Sequence, residues 1–133
     1  MENKYYVSLE AARLLKEKGY RQTYHAYYFG NSNLRKGGYR GDSWYDSPDF
    51  YPAPTKAEAI DWLESKGIIV ELSYDDQAHM DNARWEYFIY THDNDGWVEA
   101  MVCSWYENDF YPTRLEAEEA AIIKAYKFLE NGH

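Results

Sequence analysis

Along the chain the apolar positions change period several times, and each change marks an element. Leu9-Glu10-Ala11-Ala12-Arg13-Leu14-Leu15-Lys16-Glu17-Lys18 is rich in good helix formers. Ser8 stands where it can cap the first free amides, and Glu10 lies near the positive end of the helix dipole. Gly19 can take the left-handed conformation that stops a helix, and Tyr20 just beyond it can fold back on Leu15. Thr23 to Phe29 has the β-branched and aromatic content of a strand, which Gly30-Asn31-Ser32-Asn33 ends. From Asn31 to Ser47 the turn formers Gly37-Gly38 and Gly41-Asp42 break every period. They predict a loop longer than a compact domain ordinarily holds without a functional reason.

A second helix starts at Thr55, where Thr55 and Glu58 have the spacing of a capping box, and runs to about Lys66. It stops at Lys66-Gly67-Ile68 in the manner of Lys18-Gly19-Tyr20. Three strands are predicted next, over Ile68–Tyr74, Arg84–Thr91 and Trp97–Tyr106. Asp93-Asn94-Asp95-Gly96 reads as a hairpin turn that pairs the last two strands antiparallel. A final helix begins at Thr113, with Leu115, Ile122, Ala125, Tyr126 and Leu129 on one stripe and Glu118, Glu119, Lys124 and Lys127 facing away. The order α-β-α-β-β-β-α predicts an α+β fold: an antiparallel sheet of three to four strands packed against about three helices. Residues 1–133 are expected to form a single domain with a long aromatic and Gly-rich loop at about 30–48.

One wording occurs twice. Asp49-Phe50-Tyr51-Pro52, followed by Pro54-Thr55-Lys56-Ala57-Glu58-Ala59, resembles Asp109-Phe110-Tyr111-Pro112-Thr113-Arg114-Leu115-Glu116-Ala117. An internal duplication would produce this. So would local physics, since each copy supplies an aromatic approach, a proline that disfavours helix before it, and a Thr/Glu capping box. The second account is the stronger one.

Composition sharpens the picture at two points. The 133 residues carry a net charge of −9 at neutral pH, unevenly spread. Residues 1–66 hold ten Lys/Arg against nine Asp/Glu, and residues 67–133 hold four against fourteen. A chain this acidic repels phosphate backbones, so no direct nucleic-acid binding is expected. Acidic chains poor in aromatics tend to be disordered, but 19% of these residues are Phe, Trp or Tyr, enough for an ordered core. A lone Cys103 and an N-terminus without an apolar run point to a reducing cytoplasm, and no stretch is suited to a membrane.

Candidate chemistry is sparse. Thr91-His92-Asp93-Asn94-Asp95-Gly96 resembles the start of a calcium loop, but Thr91 replaces the first Asp and Val102 stands where the bidentate Glu belongs. Cys103 sits in a strand pattern with acidic surroundings that disfavour a thiolate, and His25, His79, His92 and His133 are too dispersed for a zinc site. No phosphate loop or serine elbow occurs, and no cofactor is expected. Glycoside hydrolysis needs only two suitably spaced acids. Glu107 and Asp109, beside Tyr106, Phe110 and Tyr111, are the pair placed to edge an aromatic pocket.

The most suggestive composition is the Tyr/Gly/Asn/Ser mixture of residues 20–51, of the kind that suits recognition surfaces. Tyr24, Tyr28, Phe50 and Tyr51 are expected to fold inward. Tyr39, Trp44 and Tyr45, set among glycines and charges, are the expected contact residues.

The segments Val7-Ser8-Leu9-Glu10-Ala11-Ala12-Arg13-Leu14-Leu15-Lys16-Glu17-Lys18-Gly19, Pro54-Thr55-Lys56-Ala57-Glu58-Ala59-Ile60-Asp61-Trp62-Leu63 and Tyr111-Pro112-Thr113-Arg114-Leu115-Glu116-Ala117 together resemble small uncharacterised proteins of bacteriophages and prophages of Bacteroides-type gut bacteria. The resemblance implies a bacterial cytoplasmic setting and transfers no functional residues. The leading expectation is a non-enzymatic accessory protein that meets a protein partner with a basic surface through its acidic side and the loop aromatics. The alternative is a small-molecule or saccharide-binding protein, or a hydrolase, with an acidic aromatic pocket at Glu107 and Asp109.

Overall fold

Helix starts and stops are set by local hydrogen bonds. In the computed structural model, which describes residues 2–21, 25–37, 46–74, 85–92, 95–96, 98–104 and 110–130, Ser8 Oγ accepts from the Ala11 amide at 3.1 Å and opens α1 (Leu9–Glu17). Gly19, at φ +97°, closes it: the Gly19 amide donates to the Lys16 carbonyl and the Tyr20 amide to the Leu15 carbonyl, each at 3.0 Å. These two bonds are the Schellman pattern, and Tyr20, only 1% exposed, makes the accompanying apolar contribution to the core. The second helix, α2 (Lys56–Ser65), opens on the reciprocal capping box, with the Thr55 amide donating to Glu58 Oε1 at 2.8 Å and the Glu58 amide to Thr55 Oγ1 at 3.2 Å. It closes at Gly67, φ +87°, whose amide donates to the Glu64 carbonyl, with Ile68 fully buried beyond it. At α3 (Arg114–Glu130) Thr113 Oγ1 accepts from the Glu116 amide at 3.2 Å.

The described residues form two compact units, Met1–Ala59 and Ile60–His133, and the boundary falls inside α2. In the first, β1 (Ala26–Phe29) is the centre of an antiparallel sheet flanked by β2 (Arg35–Lys36) and β3 (Phe50–Pro52). Strand β2 corrects the expectation of an unbroken loop from Asn31 to Ser47: Arg35 and Lys36 pair with Tyr27 and Ala26. The α1 helix packs on β3. Val7, Ala11, Ala12, Leu15, Tyr20, Ala26, Tyr27 and Phe50 are buried, and the Tyr27 and Phe50 rings lie 5.5 Å apart.

In the second unit β4 (Ile68–Tyr74), β5 (Trp85–His92) and β6 (Val98–Cys103) form an antiparallel sheet in sequence order. The α3 helix packs on β4 and β5, with Ala117, Ala121, Ile122 and Ala125 buried at helical spacing. The class is α+β, with antiparallel strands and three helices among the described residues. The strands, however, form two sheets of three, and the order is α-β-β-β-α-β-β-β-α.

Both copies of the repeated wording act as strands before they start a helix. Tyr51 pairs with Tyr28 inside β3, and Tyr111 makes an isolated antiparallel bridge to Trp85 with amide-to-carbonyl distances of 2.8 and 2.9 Å. Each copy docks on the sheet of its own unit. The first buries Phe50 completely and the second stacks Tyr111 on Tyr87 at 6.2 Å.

Candidate functional site

All five residues singled out from the sequence as contact or pocket residues, Tyr39, Trp44, Tyr45, Glu107 and Asp109, lie outside the described residues. So do Tyr24, Asp93 and Asn94. Of the aromatics expected to fold inward, Phe50 is fully buried, while Tyr28 and Tyr51 are half-buried and Tyr28 donates from its hydroxyl to the Val7 carbonyl at 2.8 Å. Thr91, the first position of the calcium-like segment, is 1% exposed within β5, and its Oγ1 has no hydrogen-bond partner among the described residues. A buried strand position cannot serve as the solvent-side ligand of a cation loop. Cys103 is buried at 5% exposure. Among the described residues no three His, Cys, Asp or Glu side chains gather closely enough to hold a metal ion.

Two surfaces remain. The first is the face of the second sheet turned away from α3. Alternation fixes it: Tyr87, Ile89 and Thr91 are 3%, 0% and 1% exposed, Tyr87 stacks against Tyr111, and the Arg114 guanidinium lies 5.8 Å from the Trp85 ring centroid, so these odd-numbered positions form the helix side. Glu86, Phe88 and Tyr90 therefore form the other side. Cross-strand register places Glu71 and Cys103 opposite Phe88, and Ile69 and Met101 opposite Tyr90. Phe88 and Tyr90 stack nearly parallel at 6.3 Å, both half-buried, and Met101 is 50% exposed. The Tyr90 hydroxyl donates to Glu71 Oε1 at 3.2 Å. Burial, and then the charge and hydrogen bond of Glu71, hold the Tyr90 phenol above the ordinary tyrosine value. The face is a short apolar and aromatic row beside carboxylates.

The second surface is an open hollow of about 360 Å³ in the first unit, lined by Arg13, Lys16, Glu17, Pro48 and Tyr51. Arg13 and Lys16 are three apart on α1 and so share a helix face. Both reach the Tyr51 ring, at 5.4 and 5.1 Å from its centroid. The Lys16 ammonium donates to the carbonyls of Ser47 and Phe50, which ties α1 to the outer edge of β3. Partial burial, followed by repulsion from Arg21, pushes the Lys16 amine below the ordinary lysine value, and the carboxylates of Asp46 and Asp49 pull the other way without cancelling the shift. Sequence reading took Arg13 and Lys16 only as helix formers. Nothing in the local pattern points to partners more than thirty residues away.

No protein-family model matches the chain, and no curated protein or solved structure matches it.

Proposed function

We propose that this chain is a non-enzymatic protein-interaction module, of the phage- or prophage-type accessory kind in a bacterial cytoplasm, and that its second unit receives a protein partner with a basic surface. The reading is carried by the division of charge. Residues 60–133 contain five Lys/Arg against sixteen Asp/Glu, a net −11, whereas residues 1–59 contain nine against seven, a net +2. The face turned away from α3 supports it by joining apolar area from Ile69, Phe88, Tyr90 and Met101 to the carboxylates of Glu71 and Glu86. Apolar burial supplies affinity in such a contact, and complementary charge steers the encounter and rejects partners of the wrong sign. Tyr39, Trp44 and Tyr45 belong to the sequence of the first unit and are proposed as aromatic contacts in their own right.

Capture from bacterial lysate at rising salt tests the reading, with the wild-type chain beside Met101→Lys and a triple Tyr39→Ala, Trp44→Ala, Tyr45→Ala variant. A specific protein should be retained at low salt, released as salt rises, and lost with Met101→Lys, which places a positive charge on the exposed apolar part of the face opposite Tyr90. Weaker retention by the triple variant would assign a share to the loop aromatics. Retention indifferent to salt and to both variants would reject the proposal.

A further inference from the structure

The hollow on α1 is an electrostatic exception in an acidic chain, and its unmet charge sits on named atoms. Of the three N–H groups on the Lys16 ammonium, two are committed to the Ser47 and Phe50 carbonyls. Carbonyl oxygens solvate a cation without neutralising it. The lowered pKa of Lys16 shows the same deficit, because burial and Arg21 outweigh Asp46 and Asp49. Arg13 is exposed, and among the described residues it donates only to Asn31 Oδ1, at 2.7 Å, out of five guanidinium donors. Pro48 and Tyr51 give the hollow its apolar walls, and its volume falls at the small end of ligand sites, which span roughly 300–1,000 Å³. Lys16 ties α1 to the β3 backbone; Arg13 bonds Asn31 Oδ1 and lies over the Tyr51 ring, with further guanidinium donors left for a ligand.

We propose that this hollow is a binding site for a small ligand carrying an oxyanion, a carboxylate or a phosphate, on a short apolar stem, with Arg13 as its anchor and Lys16 as the second cation. A planar guanidinium suits either oxyanion, and charge-assisted hydrogen bonds are the strong ones. Glu17, also on the rim, opposes the ligand's charge and sets a modest affinity. The chain's net −9 does not forbid the site, since screening at physiological salt confines exposed charges to about 8 Å. The site belongs to the first unit and is independent of the partner proposed for the second.

The test is a ¹H–¹⁵N NMR titration of the full chain with succinate and, separately, inorganic phosphate, each against chloride at matched ionic strength. At least one of the two should give saturable shifts at the amides of residues 13–17 and 49–51. Arg13→Gln, which keeps a good helix former at an exposed position, should weaken binding roughly tenfold or more, and Glu17→Gln should tighten it. Saturation by succinate alone assigns a carboxylate ligand, and by phosphate alone a phosphate one. Shifts that chloride reproduces, an Arg13→Gln titration indistinguishable from wild type with an unchanged melting temperature, or weaker binding by Glu17→Gln would each overturn the proposal.

Discussion

Tyr90 owes its environment to strand register. Alternation puts it on the side of β5 away from α3, and the pairing with β4 sets Ile69 directly across and Glu71 two residues along, within hydrogen-bond reach. Between the ordinary tyrosine value of 10.0 and its own higher one, the folded chain keeps the Tyr90 proton while the unfolded chain has released it. The unfolded state then binds fewer protons, so this group's contribution to stability is complete below about pH 10 and is lost as pH rises through that window. Tyr90→Phe should therefore flatten the alkaline loss of stability, read as urea midpoints between about pH 9 and 11. An unchanged slope would show that Glu71 and burial do not govern the phenol. The sequence displayed the alternation of β5 but not the identity of its neighbours. Glu71 and Tyr90 are nineteen residues apart, and the register of β4 on β5 decides which carboxylate the hydroxyl meets.

Helix ends were readable from sequence because their causes lie within a few residues. Ser8, Gly19, Thr55, Glu58, Gly67 and Thr113 all act on backbone groups of their own turn. Strands β2 and β3 were not readable, because Arg35-Lys36 and Phe50-Tyr51-Pro52 are made strands by β1 rather than by their own propensity. Pro52 fits because β3 is an edge. The two capping boxes are written alike but bonded differently: Thr55 and Glu58 bond reciprocally, whereas Thr113 is seen in the forward direction. Thr55→Ala should accordingly cost about 1 kcal/mol or somewhat more, and Thr113→Ala less, as measured by urea denaturation. Equal losses would mean that the second bond of the Thr55 hydroxyl, donated to Glu58 Oε1 at 3.0 Å, adds nothing.

At the scale of the whole molecule, composition revealed the uneven charge but not that the strands divide into two sheets, since partner choice is non-local. The site on α1 was hidden for the same reason. Lys16 finds its acceptors 31 and 34 residues further along, at Ser47 and Phe50. This has a bearing on birth order at the ribosome. With nine residues, α1 is shorter than the roughly 12–15 that an isolated helix needs to persist in water. Translation at about 5–20 residues per second leaves an interval of roughly two to seven seconds between the appearance of Lys16 and that of Phe50. Early in that interval the segment is an unfinished helix, open to chaperones, with Ser8 and Gly19 as its local fastenings. A synthetic peptide of residues 1–21 should show little helicity by circular dichroism. Strong helicity would mean that the caps suffice and that the nascent chain does not have to wait for its lysine's distant carbonyls.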